Sequence, residues 1–339
     1  MYLSVIIPTR NRCDYLRDAL DSIVKQTLSK DLFEVIVVDN GSTDKTSDVV
    51  TEFEKKKLLN LSYVYEPKPG LHEGRHAGLR TAIGEVLVYA DDDIIAFPTW
   101  LEGIYESFQD EEIVLVGGKD LPKYEGDVPD WILEKWEDLN EYGHCMPQLS
   151  LIDFGDEIKD INPGYVYGCN FAIRKWVLVR AGGFLPYGMP KEKVEYRGMG
   201  ETYISSFVKR NYLRAVYNPK ASIYHRVPAS RLTVEYFKKW YYCMGISASY
   251  ADLRNQQIEI LDSSKIPFKK RVRHLGRKIL GEKVTHWIVS RNKKPIDMSQ
   301  LSEMEREFVL AQEKGYAYHQ ERYKTDPALR EWVHRKKYL

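Results

Sequence analysis

Long apolar runs and a recognisable export signal are absent from this sequence. Among its 339 residues no apolar stretch approaches the roughly 18 residues that a membrane-spanning helix needs. The first segment, MYLSVIIPTRNR, carries its positive charges after the apolar stretch, which is the reverse of a secretion signal. Both absences predict a cytoplasmic protein.

Cysteine is scarce, and several phosphate-binding motifs are missing. The four cysteines, at positions 13, 145, 169 and 243, show no CxxC spacing, so neither a zinc site nor a disulfide framework is indicated. The chain also lacks the GxxxxGK[ST] loop of P-loop NTPases and the GxGxxG loop of Rossmann dehydrogenases. Pro8-Thr9 stands where response regulators and haloacid-dehalogenase phosphatases place a nucleophilic aspartate, and no glycine-rich nucleotidyltransferase loop is found there.

Excess charge of one sign is also absent overall, but the two signs are separated along the chain. The formal net charge is +1. Residues 102–160 hold 17 acids and 4 bases, whereas residues 265–294 hold 11 bases and the single acid Glu282. Each block can be solvated surface, and blocks this uneven can also form partner surfaces.

What is present is an alternation of strand and helix patterns over the first 120 residues. Apolar runs predict strands at 3–7, 33–38, 61–65, 86–90 and 113–116, and amphipathic helices are predicted between them. This order implies crossover connections and an α/β fold with a mostly parallel sheet flanked by helices. Residues 120–165 have weak periodicity and are interpreted as a variable insertion or loop. A strand at 165–173, helices at 174–181 and 201–210, a helix after Thr233 and a helical stretch at about 300–335 complete the prediction.

Three polar clusters follow predicted strands. They are Pro8-Thr9-Arg10-Asn11, Asp39-Asn40-Gly41-Ser42 and Asp91-Asp92-Asp93. Ligands of parallel α/β sheets bind beyond the carboxyl ends of the strands, so these clusters are expected to converge. Three adjacent carboxylates repel one another, and a hard divalent cation such as Mg²⁺ or Mn²⁺, itself holding a diphosphate, would relieve the repulsion.

The segments SVIIPTRNR, VIVVDNGSTD and GEVLVYADDDI resemble family 2 nucleotide-sugar glycosyltransferases with the GT-A fold. GCNFAIRK at 168–175 is similar to the acceptor-side segment of that family, and YNPKASIYHRVP at 217–228 is similar to its closing strand and histidine. The resemblance covers residues 1–250. It implies a nucleotide-sugar-binding half over 1–120, an acceptor-side half over 121–250 and a helical, basic C-terminal extension over 251–339.

The resemblance also implies roles for individual residues. Asp93 would be the principal metal ligand, with Asp91 and His225 as further candidates. Gly168 and Asn170 would lie on the acceptor side. The nucleotide sugar would contact four groups of residues: the first loop, the aspartate that binds the base, a basic residue that faces the diphosphate, and the triple aspartate. These residues are Pro8, Thr9, Arg10 and Arg12 of the first loop, then Asp39, Arg75, Asp91 and Asp92.

The family commonly reads GGED at the catalytic base, whereas this chain reads Gly198-Met199-Gly200-Glu201. Glu201 lies 18 residues before Pro219, which is the spacing of the family's base from its YNP segment. We therefore predict that Glu201 is the general base that accepts the proton of an acceptor hydroxyl. The alternative for Glu201 is a helix-start glutamate favoured by the helix dipole.

The predicted function is inverting transfer of a sugar, most simply from a UDP-linked donor, to a saccharide or lipid-linked acceptor in surface polysaccharide or glycolipid synthesis. A non-catalytic nucleotide-sugar binding or scaffold protein is the alternative, because the usual aspartate of the base motif is replaced. Trp131, Trp136 and Trp240 could stack on sugars or serve packing. Nucleic acid is not an expected partner.

The basic block interleaves with apolar residues at helical spacing. Val272, Leu275 and Ile279 share one helical face, surrounded by arginines and lysines. This pattern predicts either peripheral binding to an anionic membrane, at the inner face of the plasma membrane, or packing of the segment against the acidic region 102–160.

Overall fold

The computed structural model describes residues 1–254, 298–335 and 337–339. Its first part alternates strands and helices as the apolar periodicity predicts. The elements are β1 (Leu3–Thr9), α1 (Cys13–Val24), β2 (Phe33–Asp39), α2 (Thr46–Lys56), β3 (Leu61–Tyr65), α3 (Leu71–Thr81), β4 (Val86–Ala90), β5 (Ile94–Ala96), α4 (Trp100–Ser107) and β6 (Ile113–Gly117).

The remaining described elements extend this sheet, form a second sheet and end in three helices. They are β7 (Asp120–Glu125), α5 (Asp130–Glu137), β8 (His144–Met146), β9 (Leu151–Asp153), β10 (Lys159–Asp160), β11 (Asn170–Arg174), α6 (Lys175–Ala181), α7 (Glu201–Arg210), β12 (Arg214–Tyr217), β13 (Ile223–Pro228), α8 (Val234–Arg254), α9 (Glu303–Thr325) and α10 (Pro327–His334).

The main sheet has eight strands in the order β10-β12-β6-β11-β4-β1-β2-β3. Strands β1 to β4 are mutually parallel where they pair, as are β6 and β12, while β11 is antiparallel to both β4 and β6. The central strands β1, β2 and β4 are buried along their whole length, which explains their unbroken apolar runs. The prediction of an α/β fold with a mostly parallel, helix-flanked sheet is confirmed.

Residues 120–165 form strands and a helix, so the loop alternative was wrong, whereas their description as a variable insertion stays a prediction. They supply β7, β8 and β9 to a five-stranded sheet in the order β5-β13-β7-β9-β8, and they include α5. These strands are short, and β7 mixes buried with half-buried residues, so neither strand nor helix periodicity is visible in the sequence. The predicted strand at 165–173 is also shorter than expected, because the chain enters β11 only at Asn170.

The C-terminal helices pack against the rest of the chain. Helix α9 crosses α8 at two glycines: a Cβ atom on Gly245 would lie 2.0 Å from the Gln312 carbonyl oxygen, and one on Gly315 would lie 2.0 Å from that of Tyr242. The two backbones therefore touch at the crossing. Helix α10 and the following Tyr338 share an apolar cluster with Leu185 and Met199, so the end of the chain reaches the segment before α7. No helix among the described residues is long and apolar enough to cross a membrane.

Candidate active site at the carboxyl edge of the sheet

The strand register brings the first two polar clusters together. Thr9 at the end of β1 is paired with Asp39 at the end of β2. The β1–β4 pairing, extended to the strand ends, brings the triple aspartate alongside Thr9, whose hydroxyl donates to Asp92 Oδ2 at 2.7 Å. Pro8 is buried in β1 beside these residues, whereas Arg10 is exposed.

Arg12 bridges two of the aspartates. Its Nη1 lies 2.8 Å from Asp92 Oδ1, and its Nη2 lies 2.9 Å from Asp93 Oδ2. Arg231, on a short turn after β13, approaches the same Asp93 Oδ2 with its Nη2 at 3.3 Å. Both aspartates are almost fully buried, with 3% and 1% of their surface exposed, so the two arginines are their compensating charges.

Asp93 and His225 face each other through atoms that both carry lone pairs. The Nδ1 of His225 lies 2.8 Å from the Leu149 carbonyl oxygen, an acceptor, so Nδ1 carries the proton. Its Nε2 lies 3.4 Å from Asp93 Oδ1, a buried oxygen that has no hydrogen-bond partner among the described residues. A neutral imidazole would leave two acceptors opposed, and a proton or a cation between them would remove their repulsion. Arg231, whose Nη1 lies 3.4 Å from Nε2, is a cationic donor already beside the pair.

This pair fits a divalent metal ion. A carboxylate oxygen and an imidazole nitrogen are both ligands for Mn²⁺, and Mg²⁺ commonly takes one or two carboxylates together with phosphate oxygens. Over residues 1–254, 298–335 and 337–339, no group of three or more histidine, cysteine or acidic side chains is arranged as a complete metal site. Protein ligands alone are therefore few, and a bound metal would draw further oxygens from its substrate.

Burial shifts the pKa values of the aspartates in different directions. Burial raises the pKa of Asp91, and it raises that of Asp92 to about 7 even though Arg12 is adjacent. Burial also opposes ionisation of Asp93, but His225 and Arg12 hold its pKa well below the usual range. For His225 burial lowers the pKa and the Asp93 carboxylate raises it, with an upward net shift. An additional cation would stabilise all three carboxylates in their ionised form.

Asp39 is held by two donors at the edge of the same site. Its Oδ1 accepts from the Ser42 backbone N–H at 2.7 Å, and its Oδ2 accepts from the Tyr63 hydroxyl at 2.7 Å. Each carboxylate oxygen can accept two hydrogen bonds, so Asp39 keeps capacity for the N–H of a base ring. Tyr63, on β3, is a contact that the sequence analysis did not identify.

Glu201 is bound to a buried arginine. Arg75 Nη1 donates to Glu201 Oε2 at 3.0 Å, its Nη2 donates to the Gly168 carbonyl oxygen at 3.1 Å, and the same Nη2 lies 3.6 Å from Asp91 Oδ1. Glu201 Oε1 makes no hydrogen bond within the described part of the chain. Gly168 packs directly against both side chains, because a Cβ atom there would lie 2.4 Å from Arg75 Nη2 and 3.1 Å from Glu201 Oε1.

Arg75 was expected to face a diphosphate, and that contact stays a prediction. In the structure its guanidinium instead connects the predicted base to Asp91. Arg75 and Glu201 are 126 positions apart, which is why neither local pattern nor spacing reveals that they form a pair.

Asn170, predicted on the acceptor side, lies in the core. Its side-chain amide donates to Asp120 and to the Ala221 carbonyl, and its oxygen accepts from Trp100 Nε1. The three tryptophans considered for sugar stacking have aromatic neighbours of their own. Trp131 packs edge-on to Phe237, and the other two contact neighbouring rings, with Trp136 stacked on His144 and Trp240 edge-on to Tyr241.

Two further residues border the site without a sequence motif to mark them. Arg231 was not singled out, although it lies only six residues after His225. Tyr187 packs against Gly200, whose hypothetical Cβ would lie 2.8 Å from the ring, and Arg197 covers the ring at 3.9 Å. The positive φ of 51° at Gly200 and this contact give a reason for glycine immediately before Glu201.

The fold is a mixed α/β sheet with acidic strand ends, and comparison with known proteins specifies the family. The family model described as "Glycosyl transferase family 2" matches residues 4–178, just over half of the chain. The protein therefore belongs to glycosyltransferase family 2.

The similarity extends to curated proteins and solved structures. The chain is 36% identical over 104 residues to validoxylamine A glucosyltransferase of Streptomyces hygroscopicus subsp. jinggangensis, a match that covers 30% of this chain and 24% of that enzyme. It spans between 22% and 38% of the length of the curated relatives to which it is at least 32% identical.

Two solved structures share the fold. The mannosyltransferase PcManGT from Pyrobaculum calidifontis, in complex with GDP-Man and Mn²⁺, has a TM-score of 0.53 at 18% identity, covering 98% of this chain and 84% of that one. S. aureus TarS 1-349, in complex with UDP-GlcNAc, has a TM-score of 0.53 at 18% identity, covering 96% and 92%.

Proposed function

We propose that this protein is an inverting, metal-dependent glycosyltransferase that moves a sugar from a UDP-linked donor to an acceptor hydroxyl. The observation that carries the proposal is the arrangement of two carboxylates. The Asp93 oxygen that lacks a hydrogen-bond partner among the described residues faces His225, while Glu201, whose Oε2 is held by Arg75, lies at the same edge of the sheet. Arg75 connects Glu201 to Asp91 and so joins the two groups.

The proposed reaction is a single displacement. Glu201 Oε1 accepts the proton of the acceptor hydroxyl as that oxygen forms a bond to the anomeric carbon. The bond between the anomeric carbon and the diphosphate oxygen breaks, and its electron pair leaves with the nucleoside diphosphate. Attack opposite the leaving group inverts the anomeric configuration. Arg75 holds Oε2, so Oε1 is the oxygen left for the acceptor.

The metal would be held by Asp93 and His225, with Asp91 nearby, and Mn²⁺ or Mg²⁺ suits these donors. When bound, it supplies Lewis-acid stabilisation of the charge that develops on the departing diphosphate. The chain's own part is to orient the histidine: the Leu149 carbonyl fixes the tautomer of His225, which leaves Nε2 for the metal.

A uracil ring is the proposed base. Its ring N–H would donate to Asp39, whose carboxylate is fixed by Ser42 and Tyr63. Guanine also presents a ring N–H, so GDP sugars are the donors to compare. The UDP-GlcNAc complex of TarS and the GDP-Man complex of PcManGT illustrate both choices on this fold.

A donor panel tests the reaction and its metal. Purified protein is incubated with UDP-, GDP- and dTDP-sugars, with Mn²⁺ or with EDTA, and release of nucleoside diphosphate is followed. We expect release with one donor class only when the metal is present, and loss of release in Asp93→Asn. Metal-independent release, or unchanged nucleotide binding and turnover in Asp93→Asn, would contradict the proposal.

Glu201→Gln tests the base. The amide is nearly isosteric but accepts protons poorly, so transfer should fall by about 10²-fold or more while UDP binding is retained. Glu192→Gln, an exposed carboxyl on the preceding turn, is the matched control and should retain activity. Equal activity of Glu201→Gln and wild type would exclude Glu201 as the base. Nucleotide-sugar binding without turnover by the wild type would favour the non-catalytic alternative.

We also propose that the acceptor is a saccharide or lipid-linked glycan in surface polysaccharide or glycolipid synthesis. The support is the basic block at 265–294, which lies outside the described residues and whose membrane binding stays a prediction. Sedimentation with phosphatidylglycerol and phosphatidylcholine vesicles tests it: we expect recovery with the anionic vesicles at low salt only. Equal recovery in the supernatant throughout would contradict the prediction.

A further inference from the structure

The candidate metal ligands are already in contact with two arginines. Arg12 and Arg231 both touch Asp93 Oδ2, at 2.9 and 3.3 Å. Arg231 also directs its Nη1 toward His225 Nε2 at 3.4 Å. A guanidinium has no lone pair to accept with, so it can approach these atoms only as a donor. The arginines therefore use the same acceptor atoms that a metal ion would use.

The side chains of Arg12 and Arg231 are exposed enough to move away from the aspartates, unlike that of Arg75. The side chains of Arg12 and Arg231 are 31% and 26% exposed, whereas that of Arg75 is 3% exposed. Arg12 belongs to the loop after β1, and Arg231 belongs to a turn after β13, so they reach Asp93 from separate parts of the chain. Long side chains anchored outside the cluster can exchange one acceptor for another without moving the sheet.

The formal charges of the site explain when this exchange is favourable. Asp91, Asp92, Asp93 and Glu201 carry four formal negative charges, and Arg12, Arg75 and Arg231 carry three formal positive charges, so the site has a formal charge of only −1 when His225 is neutral. A divalent cation alone would add two positive charges to a buried cluster. The diphosphate of a nucleotide sugar carries two negative charges, so a divalent cation that enters together with it adds no net charge.

We propose that Arg12 and Arg231 are exchangeable counter-ions of this site: they bind Asp92, Asp93 and His225 when the nucleotide is absent, and transfer to the diphosphate when metal and nucleotide bind together. Metal and nucleotide binding are then coupled through these arginines, and the coupling is reciprocal. This inference rests on the proposed metal-dependent function and adds to it the residues that make binding cooperative.

The test measures Mn²⁺ binding, without turnover. Free Mn²⁺ is followed by electron paramagnetic resonance during titration of the full chain, with and without UDP, and with GDP in parallel. The wild type should bind Mn²⁺ weakly alone and at least about tenfold more tightly with the nucleotide. Arg231→Gln should bind Mn²⁺ alone about tenfold more tightly than the wild type, because one competing positive charge is gone, and should lose part of the enhancement by nucleotide.

Two variants control for charge and folding. Arg231→Lys keeps the charge and should restore weak binding of Mn²⁺ alone. Arg17→Gln removes an arginine that pairs with Glu52 on the outer helices, and its titration should match that of the wild type. Arg12→Gln provides an independent version of the main variant if Arg231→Gln does not fold, as judged by its thermal transition.

The outcomes separate this inference from the function on which it rests. If the wild type binds no Mn²⁺ even with UDP or GDP, the metal-dependent function fails. If the wild type binds Mn²⁺ with nucleotide but Arg231→Gln and Arg12→Gln bind Mn²⁺ alone no more tightly than the wild type, the function stands and the counter-ion role is refuted.

Discussion

Replacing Gly168 by alanine should displace the proposed base, Glu201, while the nucleotide-binding residues stay in place. A Cβ atom there would lie 2.4 Å from Arg75 Nη2 and 3.1 Å from Glu201 Oε1. Since non-bonded contacts of this kind are comfortable near about 3.5 Å, the guanidinium must retreat by about 1 Å. Its Nη2 would then lose the Gly168 carbonyl, and its Nη1 would pull on Glu201 Oε2.

The expected size of the effect follows from that displacement. Misplacement of a catalytic group by about 1 Å can cost about 10²-fold in rate, and overpacking a buried site typically costs about 1–3 kcal/mol of stability. Gly168→Ala should therefore lower kcat/KM for transfer by about 10²-fold and lower the free energy of unfolding by a few kcal/mol at most. Binding of UDP, measured by calorimetry, should be nearly unchanged, because Asp39 and Thr9 are untouched.

A double-mutant cycle with Arg75→Lys makes this prediction specific. Lysine keeps the positive charge but has no Nη2, so it leaves space for the added methyl group. Arg75→Lys alone should reduce activity, and adding Gly168→Ala to it should cost little more. The two effects are thus non-additive, as expected for residues in contact. Additive losses, or a fully active Gly168→Ala, would refute the argument that Arg75 fixes the position of Glu201.

Three further predictions address the base pocket, the C-terminal helices and acid stability. Asp39→Asn should weaken UDP binding about tenfold or more in calorimetry, because a charged acceptor is lost, whereas Asp48→Asn on the exposed face of α2 should not; equal affinities would contradict the role of Asp39. Gly245→Ala should lower the free energy of unfolding, measured in urea, by about 1–3 kcal/mol, whereas Ala248→Ser at an exposed position should leave it unchanged. An unchanged free energy of unfolding in Gly245→Ala would refute the close contact of α8 with α9. Burial lowers the pKa of His76 to about 3 and that of His319 to about 4, so the unfolded chain binds more protons than the folded chain below about pH 6.5. The free energy of unfolding should therefore fall as the pH decreases from about 6.5 toward 4, by about 2 kcal/mol for each histidine at pH 5. His76→Gln should reduce this pH dependence in urea unfolding, and an unchanged dependence would contradict the prediction.

The central sheet was predictable because its sequence signals are local. Strands β1, β2 and β4 are buried over every residue, so each appears as one apolar run that ends in a polar cluster. Parallel pairing then fixes which ends meet: Thr9 is in register with Asp39, and its hydroxyl reaches Asp92. These contacts follow from strand order alone, and only the fold class is needed to expect them.

The second sheet and the base environment were not predictable for the opposite reason. β8 and β9 have three residues each, too few to show a period, and β7 contains Pro122 at a position that sequence reasoning assigns to a turn. The partner of Glu201 is Arg75, and the partner of Asp93 that pattern analysis missed is Arg231, at a separation of 138 residues. Pairs this distant are created by tertiary packing and leave no local trace.

The distribution of arginines over the triple aspartate also determines how its variants must be interpreted. Each aspartate has a different set of cations: Arg75 lies near Asp91, Arg12 binds Asp92, and Asp93 has Arg12 and Arg231. Removing one member of a buried ion pair typically costs about 3–5 kcal/mol, because the other charge is left uncompensated. That penalty is small for Asp91, because Arg75 keeps its ion pair with Glu201 and its hydrogen bond to the Gly168 carbonyl when Asp91 is removed. It is also reduced for Asp92 and Asp93, because the side chains of Arg12 and Arg231 are partly exposed and can turn toward water. Alanine at position 91 nevertheless removes a possible metal contact and, at the same time, one of the three contacts that position the arginine holding Glu201. Loss of activity in such a variant does not by itself identify a metal ligand, whereas Mn²⁺ affinity measured beside the unfolding free energy separates the two roles.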